Sequence, residues 1–240
     1  MSSPTASVSG SEKANLVRSM FAQIAPKYDF LNHALSLNAD RRWRRLVVSA
    51  VSDCLARNDS KALDLCCGTA DLSIELARMA ETIGVDFCQP MLQIGAKKAT
   101  KSRFPVLLVE GDALRVPFAS DSFEVVTIAF GLRNLESVEA GLAEIFRLLK
   151  PNGRAAILEF SHPRLPVFKT VFQFYFNRIL PRIGNAVSGS GFAYRYLPDS
   201  VGRFPDQRTL ASMMEAAGFS GVSYRDLFGG VAALHLGEKQ

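Results

Sequence analysis

Three aspartates recur at or near the ends of apolar runs. Asp64 stands in "KALDL", just before the small residues Cys66, Cys67, Gly68, Thr69 and Ala70; Asp86 closes "TIGVD"; Asp112 follows "PVLLVEG". A carboxylate at such a point accepts hydrogen bonds from hydroxyl or amino groups. A turn of small residues lets a ligand approach the main chain, whose amides and following helix N-terminus favour an anion. Asp86 is placed to accept from both hydroxyls of a ribose, Asp112 from an adenine amino group, and the Thr69 region to offer amides or its hydroxyl to a carboxylate. Each aspartate alone reads equally as the cap of the helix after it; three in series read as a nucleoside site.

The turn also restricts the ligand. A dinucleotide loop needs glycines at G-x-G-x-x-G so that a pyrophosphate can lie on the backbone, and only Gly68 is present; a P-loop would need G-K-[ST], which is absent. A nucleoside cofactor without phosphate relaxes that demand, and S-adenosyl-L-methionine is one. Phe87 and Met91 are candidate walls for its adenine, or ordinary core.

Stepping outward, the elements that hold these residues alternate. From residue 60 to 161 the runs "KALDLC", "TIGVDF", "PVLLVEG", "FEVVTIAF" and "GRAAILEFS" are separated by helical patterns, which predicts an α/β fold with a parallel sheet covered on both faces. "VSYRDLF", Gly229-Gly230 and "VAALHLG" predict a C-terminal antiparallel hairpin. Lys150, Pro151, Asn152 and Gly153 predict a stop and turn between a helix and the next strand. The expected organisation is a tail over 1–13 and a single domain over 14–240. Within it lie a helical cap over 14–57 interrupted around Pro26, a core over 60–161, an aromatic-rich insertion over 162–205, and a helix and hairpin over 206–240.

The chain has 240 residues, 48% of them hydrophobic, enough to bury a full core, and a net charge of +5. Its basic residues are scattered apart from "RRWRR" at 41–45, which argues against a nucleic-acid-binding stripe. The opening residues lack the apolar core of a secretory signal, and no long uncharged apolar run predicts a membrane-spanning helix. Cys54, Cys66, Cys67 and Cys88 and the histidines His33, His162 and His235 lack metal-ligand spacing, so no metal is expected and a reducing cytoplasm is the simplest setting.

Several segments carry a resemblance. "LDLCCGTADL", the pair at 85–86, "EGDALRVPF" at 110–118 and "FGLRN" at 130–134 resemble the motif series of class I S-adenosylmethionine-dependent methyltransferases. "YDFLNHALSLNADRRW" at 28–43, "RLLKPNGRAAILEFS" at 147–161 and "YRYLPDSVGRFP" at 194–205 are similar to the signatures of the quinone-biosynthesis C-methyltransferases, which act on demethylmenaquinol and, in some members, a ubiquinol precursor. The resemblance covers residues 14 to 238. It implies a Rossmann-like fold with a seven-stranded, mostly parallel sheet, and cofactor contacts from Asp64, Gly68, Thr69, Asp86, Phe87, Asp112, Ala113 and Ala129. Asn38, Asn152 and Ala70 stand where the family commonly has glycine; asparagine tolerates positive φ. Ala70 is expected to narrow the approach of the cofactor slightly, and Ala129 to lack a hydrogen bond that a serine would make.

Methyl transfer is an in-line displacement that relies on positioning and on exclusion of water. Arg133 and Asn134 are expected to face the reacting methyl and stabilise an oxyanion on the quinol, the alternative for Arg133 being an ion pair with Glu159 or Asp29. Tyr28, Asp29 and Asn32, with Tyr194, Tyr196 and Asp199, are expected to close the pocket and hold the quinol; Tyr28, Asp29, Asp199 and a water chain stay open as the base. The insertion at 166–184 presents Val167, Phe168, Val171, Phe172, Tyr175, Phe176, Ile179 and Leu180 to core, prenyl tail or membrane. The expected partner is a polyprenylated quinol, with peripheral contact at the inner face of the cytoplasmic membrane and a homodimer both compatible. A methyltransferase for another acceptor, an RNA-modifying protein and a non-catalytic scaffold are the rivals.

Overall fold

A computed structural model describes residues 10–36, 38–163 and 193–240. Seven strands form one sheet: β1 (Lys61–Leu65), β2 (Glu81–Asp86), β3 (Val106–Glu110), β4 (Phe123–Ala129), β5 (Leu149–Phe160), β6 (Ser220–Leu227) and β7 (Ala232–Glu238), in the order β3-β2-β1-β4-β5-β7-β6. The first five run parallel, and β7 pairs antiparallel with both β5 and β6. The hairpin turns at Phe228–Gly230, where Gly229 and Gly230 both take positive φ, so the expected glycine turn is present.

The central strands are buried almost throughout, as a sheet covered on both faces requires, and successive side chains point to opposite faces. Leu63, Leu65, Val126, Ile128 and Ile157 face helices α5 (Val138–Leu148) and α7 (Gln207–Ala216). Ala62, Val125, Ala156 and Leu158 face Trp43, Val47 and Val51 of α2 (Ala39–Val51) and Leu72 and Leu76 of α3 (Asp71–Leu76). Ser137 and Asp206 accept from the amides of Ala140 and Thr209 and so start α5 and α7.

Helix α1 (Gly10–Leu35) runs unbroken through Pro26, where the sequence predicts an interruption. A proline costs one backbone hydrogen bond. Here Val17, Met20 and Ala25 on one face are buried, and Phe21, Ala25 and Tyr28 pack with Cys88 and Met91, the latter on α4 (Gln89–Ala99), which keeps the helix in register. Asn38 and Asn152 have φ of 60° and 64°, as their glycine-like positions require. Between Phe123↔Leu149 and Val125↔Arg154 the register of β4 and β5 slips, so residues 150–153 loop out at the expected stop. Helix α6 (Ala193–Arg203) precedes α7. The apolar segment expected at 166–184 lies outside the described residues.

Strand order reverses between β1 and β4, and in an open parallel sheet the crevice at that switch, beyond the carboxyl ends, receives ligands. Asp86 ends β2 at this edge, and Gly68, Asp112 and Gly131 follow β1, β3 and β4 there.

Candidate active site

The chain leaves β1 through a strained turn. Cys66, Gly68 and Ala70 have φ of 53°, 54° and 63°, and Phe130, just past the neighbouring β4, has 58°. A left-handed conformation costs a non-glycine residue about 1–2 kcal/mol, and such strain persists only where the surroundings over-determine it. The bracing is on both sides of the turn. Gly68 N and Cys88 N each donate to the Asp86 carboxylate at 2.8 Å, tying the turn to the start of α4. Below it, Asp64 is 1% exposed and accepts from Ser73 Oγ at 2.6 Å and Thr127 Oγ1 at 2.8 Å, linking β1 to α3 and β4. Burial pushes the Asp64 carboxyl up to about 6, against the pull of its two hydroxyl partners.

Phe130 is held by rings on either side, with centroids 5.9 Å from Trp43 and 4.7 Å from Phe160. Gly131 then passes so close to β1 that a Cβ there would sit 2.4 Å from Cys66 Cβ. The two strand ends thus form a narrow floor at the switch point.

Above this floor is a cleft of about 200 Å³. Gly68, Asp86, Phe87, Met91, Asp112, Ala113 and Ala129 line one part of it, and Asn134 another. Asp86 is only 7% exposed, so its carboxylate faces the cleft in a poor dielectric; burial raises its pKa while the amide bonds hold it down. Asp112 spends one oxygen on Leu114 N in a turn; no helix follows it, so the helix-capping alternative read from sequence does not apply there. Helix α1 covers the cleft with Ala14, Asn15, Arg18, Phe21 and Tyr28, and Arg18 lies 5.3 Å above the Phe87 ring. Arg18 is the sole cation among the lining residues, which also include the carboxylates of Asp86, Asp112 and Glu136 and the amides of Asn15 and Asn134 beside apolar and main-chain surface. That lining suits a phosphate-free nucleoside with an apolar ring and a diol.

Not every expected residue reaches the cleft. Thr69 is 3% exposed and gives its hydroxyl to Asp29 at 2.5 Å, so the hydroxyl is committed to α1 rather than to a ligand carboxylate. Ala70 faces inward, fully buried against Gly95, and does not narrow the cleft. Arg133 is absent from the lining: its Nη1 donates to Glu159 Oε1 at 2.7 Å and to Phe130 O at 2.6 Å, its plane lies on the Phe160 ring, and its Nε is buried without a partner. The ion pair with Glu159 is therefore formed, because Glu159, 1% exposed, requires a counter-charge. Asn134 lines the cleft, donates to Phe130 O at 3.2 Å and accepts from Tyr196 OH at 3.2 Å.

Tyr28 lines the cleft beside Gly68; burial raises its pKa, and the Asn32 side chain bonds it. The Tyr196 phenol is raised as well, again by burial first. Asp199 is half-buried on α6, and Tyr194 lies in a turn of α6 whose side chains are outside the described residues. The four cysteines are free, and burial pushes the Cys66 and Cys67 thiols far up. No cluster able to hold a metal occurs among the described residues. Arg18 in the lining, and Lys98 behind it on Asp29 and Thr69, had no warning from sequence: each is an ordinary helix cation until the fold sets it beside a partner.

The profile of the ubiE/COQ5 methyltransferase family matches residues 7–239. A demethylmenaquinone methyltransferase of Thermus thermophilus is 47% identical over 223 residues, covering 92% of this chain and all of that one. A ubiquinone/menaquinone biosynthesis C-methyltransferase of Geobacter sulfurreducens is 43% identical over 234 residues, covering 95% and 90%. Among solved structures, a Thermotoga maritima S-adenosylmethionine-dependent methyltransferase superposes with a TM-score of 0.59 at 16% identity, over 92% of this chain and all of that one, which speaks for the fold.

Proposed function

Since the chain belongs to the ubiE/COQ5 methyltransferase family, we propose that it transfers the methyl group of S-adenosyl-L-methionine to a ring carbon of demethylmenaquinol, the substrate class in the name of the Thermus relative. The observation that carries this reading is Asp86: a nearly buried carboxylate lining, with Asp112, the cleft at the sheet's switch point. Its remaining lone pairs accept from the ribose diol, Asp112 accepts from the adenine amino group, and Phe87, Met91 and Ala113 flank the base. The bound cofactor supplies an electrophilic methyl on a sulfonium.

The chain's own contribution is placement and dryness. Tyr28, kept protonated by burial, and the Asn134 amide donate to the quinol oxygen whose negative charge develops as its ring carbon attacks. Tyr196 orients Asn134, and the Arg133–Glu159 pair holds the turn that carries it. Asp29 is engaged by Thr69 and Lys98, which leaves Asp199 or a water chain to take the quinol proton.

A second acceptor is favoured by one fact: the Geobacter relative is named for ubiquinone as well as menaquinone biosynthesis. Complementation separates the two. Expression in cells that accumulate demethylmenaquinone should restore menaquinone by mass; restoration only in cells blocked at the ubiquinone methylation would transfer the assignment to that precursor. Peripheral attachment at the membrane that holds the prenylated substrate is also part of the proposal. It is supported by α2, where Arg41, Arg42 and Arg45 are exposed while Trp43 is core and Arg44 pairs with Asp40 at 2.8 Å and Asp71 at 3.3 Å. No helix among the described residues is long and apolar enough to cross a membrane.

A further inference from the structure

Lys98, near the C-terminus of α4, reaches three acceptors on three different segments. Its ammonium donates to Asp29 Oδ2 on α1 at 2.9 Å and to Thr69 Oγ1 in the turn after β1 at 3.1 Å, and it pairs with Asp71 Oδ1 in the first turn of α3. An ammonium has three donors, and each is used. Asp29 also takes the Thr69 hydroxyl at 2.5 Å, so α1 and the turn are joined twice. Arg44 continues the network from Asp71 to Asp40, which also accepts from Ser36 at 2.7 Å and meets His33 at 2.7 Å.

The position gives this cluster a consequence. Helix α1 supplies Ala14, Asn15, Arg18, Phe21 and Tyr28 to the roof of the cleft, and the turn supplies Gly68 to its floor. A cofactor seated between them enters and leaves when roof and floor part. At the other end, Lys13 donates to Leu135 O at 2.6 Å and anchors the start of α1 beyond β4. The Lys98 side chain is 28% exposed, and Asp29 and Asp71 are 31% and 26% exposed, so the pairing is partly shielded yet open to competition from salt. Without the ammonium, Asp29 and Asp71 become like charges on segments that must stay together.

We propose that Lys98 is a positioning residue for the cofactor: it latches α1 to the turn after β1 and so governs cofactor affinity and residence, touching no reacting atom. This rests on the reading of the cleft as the S-adenosylmethionine site. The latch acts before chemistry. Its loss therefore raises KM for the cofactor more than it lowers kcat.

The test compares wild type, Lys98→Met and Lys98→Arg by calorimetric titration with S-adenosylmethionine and by steady-state kinetics, with circular dichroism to establish folding. Lys98→Met should weaken cofactor binding and raise KM by about tenfold, while kcat at saturation stays within about twofold, the scale of losing charged hydrogen bonds. Lys98→Arg should recover most of the affinity, and added salt should weaken wild type more than Lys98→Met. A folded Lys98→Met protein with wild-type affinity and KM, or one that loses kcat at unchanged KM, overturns the latch. If Lys98→Met folds poorly, Asp29→Asn reads the same coupling, because it drops the charge on α1: weaker binding supports the latch and unchanged binding overturns it. Wild type that fails to bind the cofactor would instead overturn the reading of the cleft.

Discussion

Asp64 and Asp86 are both buried carboxylates at strand ends, yet their surroundings set them different tasks. Asp64 accepts from the hydroxyls of Ser73 and Thr127, and burial, with a smaller push from Asp86, lifts its pKa to about 6, above the unfolded value of about 3.9. The sign follows: its contribution to stability is complete below about pH 4 and is lost as pH rises through about 6. An Asp64→Asn protein has no such loss. Relative to wild type it should gain up to about 3 kcal/mol between pH 4 and pH 8, measured by urea unfolding across that range. A difference that does not move with pH would contradict the account. Asp86 instead faces the cleft, and its two amide bonds brace the turn. Asp86→Asn should weaken S-adenosylmethionine binding by about a hundredfold in calorimetry, the scale of two charge-assisted hydrogen bonds; wild-type affinity would remove Asp86 from the site. Both aspartates were legible in the sequence because each ends an apolar run. The pairing of Arg133 with Glu159 stood there as one of two alternatives, which the fold decides; the commitment of Thr69 was not legible, since Asp29 reaches it only through the fold.

At the scale of elements, the switch between β1 and β4 concentrates the strain. Gly131 has no room for a side chain: its Cβ would meet Cys66 Cβ at 2.4 Å, against about 3.5–4.0 Å for comfortable carbon contact. Gly68 has room, with Met91 Cε at 3.4 Å, but it holds φ of 54° and its new methyl would point among cleft residues. The two substitutions should therefore separate. Gly131→Ala should destabilise the fold by about 3 kcal/mol, whereas Gly68→Ala should cost about 1–2 kcal/mol and lose cofactor affinity out of proportion. Thermal unfolding and calorimetry on both proteins check this, and equal losses of affinity per unit of stability would count against it. The strands, the hairpin and the position of this turn follow from local periodicity and glycine placement. Helix α1 passing intact through Pro26 does not, because burial of Val17, Met20 and Ala25 against the rest of the protein outweighs the missing hydrogen bond.

Across the whole molecule the net charge is +5, and α2 exposes three arginines, Arg41, Arg42 and Arg45. On the proposed function the acceptor carries a prenyl chain held in lipid, and a basic face would bring the cleft to it at about 1 kcal/mol per cation near an anionic surface. The protein should float with anionic vesicles and not with neutral ones, and charge reversal at those three arginines should abolish the difference; equal flotation with both lipids would dismiss the attachment. On the proposed function, the roof helix, the strained floor and the buried Asp86 together hold one methyl group against one ring carbon. The direct test supplies purified protein with trideuteromethyl-labelled S-adenosylmethionine and demethylmenaquinol and determines the product by mass spectrometry. The account predicts menaquinol with the intact trideuteromethyl group bonded to a ring carbon; label on oxygen, or none in the quinol, would contradict it.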